Sequence, residues 1–157
     1  MIDAKRRVLL KGSLGVGAIG VAVSAGLLAP SAVLAAWPEA AFKATDTAAA
    51  LKDLLGSDAT ETSDKVTIKA PDIAENGAVV PVTVESDIEG AKSIAIIASG
   101  NGTPLIASFD LGESAVPFVS TRIKMAKTAD VVAVVQTEAG LFSAAKPVKV
   151  TIGGCGG

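Results

Sequence analysis

The chain contains no histidine, no tyrosine and a single cysteine, and its aromatic residues amount to four Phe and one Trp. Each absence removes a class of chemistry. Ser-His-Asp and Cys-His catalysis both need an imidazole. A zinc site on His and Cys ligands cannot be assembled from one Cys, and an internal disulfide is impossible. Basic runs are also missing beyond the N-terminus. Removing Lys5, Arg6, Arg7 and Lys11 from the 14 basic residues, and Asp3 from the 16 acidic ones, leaves 10 and 15, a net charge of −5. A mildly acidic remainder does not suit nucleic acid, where Lys and Arg contacts to phosphate dominate affinity. It also lacks the polybasic segment that binds anionic lipid.

What is present begins with an export pattern. Arg6-Arg7, an apolar pair and Lys11 precede an uncharged, Gly- and Ala-rich stretch. The stretch ends in small residues suited to cleavage near Ala35 or Ala36, as in a twin-arginine signal. A transmembrane anchor is the alternative, since the run is long enough to span a bilayer. The glycine content and the cleavage site favour export. Residues 1–36 are therefore assigned to the signal, the mature protein to the periplasm, and no membrane contact is expected after cleavage.

About 120 residues remain, enough for one domain. From Trp37 to Leu55 a stripe of Trp37, Ala41, Ala44, Ala48, Leu51 and Leu55 predicts one helix over residues 37–56, with Pro38 at its start and Gly56 as its cap. It could lie on its own sheet or dock on a partner subunit, and the first is favoured. Residues 57–64 read as a polar linker. From residue 65 to 152 the period is two, with runs at Val66, Val80–Val84, Ile94–Ile96, Leu105–Leu111, Val116–Met125, Val131–Thr137 and Lys146–Ile152. Turn signals separate them, and the pattern predicts an all-β, immunoglobulin-like antiparallel sandwich of about seven strands. Pro81 marks its strand as an edge or a bulge.

After Ile152 the chain reads Gly153-Gly154-Cys155-Gly156-Gly157. Four glycines around one thiol predict a mobile arm. Its five residues would reach on the order of 15 Å. A buried structural cysteine does not fit this setting, and a prenylation signal needs its Cys one position earlier. Ubiquitin-like sulfur carriers also end in Gly-Gly, but they work in the cytoplasm. The thiolate is the reactive form of cysteine, and no general base lies nearby. Cys155 is thus expected to be a covalent attachment point activated by partners, with no catalytic residue of the chain's own. An odd cysteine in an exported protein can also pair between chains, giving a disulfide homodimer.

Val150 to Gly157, Ala74 to Val82 and Ser120 to Ala126 resemble segments of the SoxY family. Together with the twin-arginine signal, the likeness covers nearly the whole chain. The resemblance implies a carrier, not an enzyme, that holds sulfur intermediates of thiosulfate oxidation on Cys155 and needs no other cofactor and no metal. It implies a heterodimer with SoxZ. It further implies transient partners: the haem enzyme SoxAX, the manganese hydrolase SoxB and, in some organisms, a sulfane dehydrogenase. Arg122 and Lys124 are candidates for holding anionic adducts or partners, against the alternative of a solvated strand face. The loop Gly100-Asn101-Gly102-Thr103-Pro104 departs from the Asn-Pro-x-Pro-like turn of the family and is given no partner role. Two other readings stay open: a related carrier serving another periplasmic dehydrogenase, and a structural sandwich domain with an incidental cysteine.

Overall fold

A computed structural model describes residues 37–154. The export signal with Arg6 and Arg7, and the terminal Cys155, Gly156 and Gly157, lie outside the described residues. Nine strands form two sheets among the described residues, the seven that the period-two runs predict and two more, β1 and β3. Strand β1 spans Glu61–Thr62, β2 Val66–Lys69, β3 Ile73–Asn76, β4 Val80–Ser86 and β5 Ser93–Ala98. Strand β6 spans Leu105–Asp110, β7 Phe118–Ile123, β8 Ala129–Gln136 and β9 Leu141–Ile152. One sheet has the order β1-β9-β8-β5-β6, with β3 also on β9. The other is β2-β4-β7.

Alternation sends one face of each sheet inward. Val80, Val82, Val84 and Ile123 of the small sheet meet Ile94, Ile96, Val131, Ala133, Val135 and Val148 of the large one in the main core. Strand β5, Ser-Ile-Ala-Ile-Ile-Ala, is buried at every position because its other face is covered too. Ala95 and Ile97 pack with Val134, Leu141 and the helical residues Ala41, Ala50 and Leu51. The fold is therefore an all-β sandwich with a helical layer on the outer face of the large sheet. Each fully buried Ile contributes roughly 1.5–3 kcal/mol of transfer free energy.

The helical layer corrects one expectation. The continuous stripe predicts a single helix, but there are two: α1 at Glu39–Lys43 and α2 at Thr47–Leu55. The break is Asp46. Its backbone is extended and its carboxylate accepts hydrogen bonds from the N–H groups of Ala48 and Ala49 at 2.8 and 3.3 Å, so it caps a new helix start. At the far end Gly56 takes a positive φ of 78° and donates its N–H to the Lys52 carbonyl, as the sequence suggests. The helices lie on the chain's own sheet, the favoured of the two placements.

The predicted linker, residues 57–64, holds β1, and the stretch between β2 and β4 holds β3. Both pair in parallel with β9, Glu61 opposite Phe142 and Ile73 opposite Lys149, so the sandwich is not purely antiparallel. Pro81 sits in β4, the middle strand of its sheet. Strand β2 ends opposite Thr83, so Pro81 has a strand neighbour only in β7, where it faces Arg122. The missing N–H falls on a locally open edge, which reconciles the proline with a central strand.

Candidate functional site

Everything that positions the C-terminal motif follows from the length of β9. Strand β8 pairs with β9 only from Leu141 to Val148. The last four residues of β9 run on beyond it, held on one side by β3. On the other side a side chain replaces the missing strand. The Thr128 hydroxyl accepts from the Val150 N–H at 2.9 Å and donates to the Val150 carbonyl at 3.3 Å. Thr151 Oγ1 donates to the Glu75 carbonyl at 2.9 Å. Both backbone groups of Val150 are thus engaged, as buried or edge backbone requires.

Beyond Ile152 the chain does not leave the body at once. Gly77 donates its N–H to the Ile152 carbonyl at 2.7 Å. Met125 donates to the Gly77 carbonyl at 2.7 Å, and Gly154 donates to the Met125 carbonyl at 3.0 Å. Three backbone segments meet here without side chains between them. A Cβ on Gly77 would stand 2.2 Å from the Met125 oxygen, one on Gly153 2.2 Å from the Ala126 oxygen, and one on Gly154 2.7 Å from the Gly77 oxygen. Such distances are far inside van der Waals contact, so only glycine fits. Gly77 and Gly154 are buried.

This corrects the extent of the arm. Gly153 and Gly154 are expected as part of the mobile segment, yet they are seated against Met125 and Ala126. Here the missing Cβ serves close approach instead of freedom. Cys155 is the next residue after this anchored root, outside the described residues.

The segment that receives the root is itself clamped. Asn101 is buried, and its side-chain amide donates to the Lys124 carbonyl at 2.8 Å while its oxygen accepts from the Ala126 N–H at 2.8 Å. Both bonds are short and their partners sit on either side of Met125, so Asn101 fixes the carbonyl that holds Gly154. Sequence reasoning missed this residue. Its signal was the departure of the 100–104 loop from the expected turn, which reads as loss of a feature and not as gain of a clamp.

The two cationic candidates from the sequence are on the same side. Arg122 and Lys124 are exposed, two residues apart on one face, with Ile123 between them turned into the core. They border a shallow groove of about 270 Å³ between the edge strands β6 and β7, whose other lining includes Asn101, Thr103 and Leu105. Lys124 also precedes Met125, whose carbonyl accepts from the Gly154 N–H. Among the described residues no group of His, Cys, Asp and Glu could hold a metal ion, and no helix is long and apolar enough to cross a membrane.

Comparison with known proteins places this arrangement. The family described as "Sulfur oxidation protein SoxY" matches residues 51–155, a span that ends on the cysteine. Among solved structures, the sulfur carrier protein SoxY from Chlorobium limicola f thiosulfatophilum is 48% identical, with a TM-score of 0.60, over 66% of this chain and 94% of that one. A lytic polysaccharide monooxygenase from Jonesia denitrificans is 11% identical, with a TM-score of 0.38, over 69% of this chain and 75% of that one; that likeness is too weak to bear on the function. Comparison with curated proteins finds no match.

Proposed function

The chain belongs to the SoxY family, one solved member of which is a sulfur carrier protein, and from that premise we propose that it carries sulfur intermediates of thiosulfate oxidation covalently on Cys155. The observation that carries the reading is the construction of the C-terminal end. A 12-residue strand, a Thr128 brace and a three-glycine junction spend their order on fixing the residue immediately before the chain's one cysteine. An incidental cysteine has no use for such a mount.

In this mechanism the body supplies position and the partners supply chemistry. The thiolate is the nucleophile, and no histidine exists to generate it. A partner's active site must receive the terminal residues and activate the thiol there. Oxidative conjugation joins the thiol sulfur to the sulfane sulfur of thiosulfate. It releases one proton and passes two electrons to the conjugating enzyme, the role of SoxAX. Hydrolysis of the terminal sulfonate by SoxB would then release sulfate, and a sulfane dehydrogenase would oxidise what remains. The slenderness of the residues around Cys155 suits entry into narrow sites, since Gly154, Gly156 and Gly157 have no side chain. A heterodimer with SoxZ, export by the twin-arginine route through Arg6 and Arg7, and work in the periplasm complete the reading.

Cys155→Ser tests it. The variant is expected to fold with an unchanged melting temperature, yet to abolish thiosulfate-dependent electron transfer in a reconstituted pathway. Intact mass spectrometry of the unsubstituted protein should show adducts that a reductant removes. Full pathway activity in the Ser variant would overturn the proposal.

A further inference from the structure

The chain has two asparagines, Asn76 and Asn101, and a glycine follows each. Asn-Gly is a chemically fragile pair, because the glycine nitrogen is not shielded by a side chain of its own. Once that nitrogen loses its proton it can attack the Asn side-chain carbon. A succinimide ring closes, and the side-chain nitrogen leaves with the electron pair, takes up a proton and becomes ammonia. Water then opens the ring on either side, giving aspartate or isoaspartate. One water enters and one ammonia departs, with no oxidant or enzyme required.

Both pairs contribute to the junction at the end of β9, and each is held by the opposite half. At Asn101 the electrophile is locked. Its side chain is buried, with Nδ2 on the Lys124 carbonyl and Oδ1 on the Ala126 N–H, both at 2.8 Å. The neighbouring Gly102 is exposed, and its N–H has no hydrogen bond among the described residues. At Asn76 the nucleophile is locked instead. The Asn76 side chain is exposed; its Oδ1 accepts from the Ala78 N–H at 2.9 Å, and its Nδ2 has no partner among the described residues. Gly77 is buried, and its N–H donates to the Ile152 carbonyl at 2.7 Å.

The two locks differ in what supplies them. Asn101 is held by the segment after β7. Asn76 is held by the end of the chain: it pairs in register with Ile152, Thr151 bonds the Glu75 carbonyl, and Thr128 braces Val150. A buried, bonded amide gives up its proton only when the structure opens locally, and the same proton loss begins the ring closure.

We propose that Asn76 is a spontaneous modification site held shut by residues 152–154, so that it deamidates only while that segment is off its seat. The isoaspartate product adds a methylene to the backbone between positions 76 and 77. The surroundings of Gly77 have no room for the shift: a Cβ there would already stand 2.2 Å from the Met125 oxygen and 2.8 Å from both the Gly154 nitrogen and Val150 Cγ1. The terminal segment then has no seat to return to. The mark is lasting, and the molecule keeps a record of time spent open. The inference stands on the junction alone and does not need the carrier reading.

Ageing the purified full-length chain in mildly alkaline buffer tests this. Peptide mass spectrometry gives the aspartate and isoaspartate at each asparagine, and hydrogen exchange gives the opening of the Gly77 N–H. In urea both asparagines should convert at similar rates. In the folded chain Asn76 should be slower by at least about ten-fold. Thr151→Val and Thr128→Val each remove hydrogen bonds from the end of β9 and leave Asn76 and Gly77 in place. Each should speed Asn76 conversion and Gly77 exchange together by about five-fold, the scale of one net hydrogen bond, while Asn101 stays within about two-fold. An Asn76 rate that ignores both substitutions, or that rises no more than that of Asn101, overturns the gate. So does a folded-chain rate equal to the rate in urea. In the isoaspartyl form of position 76 the Gly154 N–H should exchange at least about ten-fold faster; unchanged exchange overturns the loss of the seat. No readout uses the thiol, so failure here is separate from failure of the Cys155→Ser assay.

Discussion

At the end of the sandwich where β9 finishes, Gly77, Gly153 and Gly154 have carbonyl oxygens pressed to within 2.2–2.7 Å of where a Cβ would be. At the opposite end, Gly90, Gly112 and Gly140 have nothing within 4 Å of that point, and Gly90 and Gly140 carry positive φ angles of 69° and 151°. The same residue type thus answers two different demands. In one place it lets three backbone segments touch; in the other it lets a loop turn. The charges divide in the same way. The far loops carry Asp87, Glu89, Asp110, Glu113 and Glu138, and there Lys92 pairs with Glu138 at 2.9 Å. The near loops carry unpaired lysines. A mostly acidic end, with one ion pair, stands opposite an end whose loops carry lysines and whose backbone contacts receive the chain's last described residues.

The largest expected effect falls on the tight glycines. Gly77→Ala should destabilise the protein by about 3 kcal/mol, since its Cβ must displace backbone and not a flexible side chain. The same change at Gly112 should stay within about 0.5 kcal/mol. Urea unfolding of both variants checks the contrast, and equal losses would erase the distinction between the two ends. Next comes the clamp. Asn101→Ala leaves the Lys124 carbonyl and the Ala126 N–H without their partner and should cost about 2 kcal/mol. Amide exchange at Gly154 should quicken in this variant even where the global fold holds. The smallest effect belongs to the far end. Lys92, by hydrogen bond and then by charge, holds the Glu138 carboxyl below its ordinary value. A depressed folded-state value means the pair's contribution is present above the ordinary carboxylate range and is lost as pH falls through the folded value. The pair is solvent-exposed, so Lys92→Gln should return the Glu138 titration, followed by NMR, to its ordinary midpoint with little change in melting temperature.

How much of this the sequence made legible varies with the physics involved. The strands from Val80 to Ile152 announce themselves because each has a buried face, and burial writes a period of two into the residues. Strands β1 and β3 do not, since Glu61, Thr62, Glu75 and Asn76 are exposed; they are strands because β9 offers them an edge, a fact about a distant segment. The helix break was legible in principle, as Asp46-Thr47 is a cap signal, but the alanine stripe runs through it unbroken. Cys155 stands out by its neighbours. The root does not, for a run of glycines reads as freedom, and only the facing carbonyls of Gly77, Met125 and Ala126 reveal that two of the four glycines are filled space. Arg122 and Lys124 could be singled out as charges, but their sharing of one groove with Asn101 depends on the two sheets' edges coming together.

The overhang of β9 past β8 has a mechanical side. Its final residues are flanked by β3 running in the same direction, from Ile73 beside Lys149 to Asn76 beside Ile152. The run is bracketed by the bonds from Lys149 to Asp72 and from Gly77 to Ile152. A tug on the terminus along the strand axis would load these links together, in shear, and not peel them apart one after another. Force applied to the end of β9 would therefore meet the whole set of bonds at once, and the sandwich beneath it would stay folded.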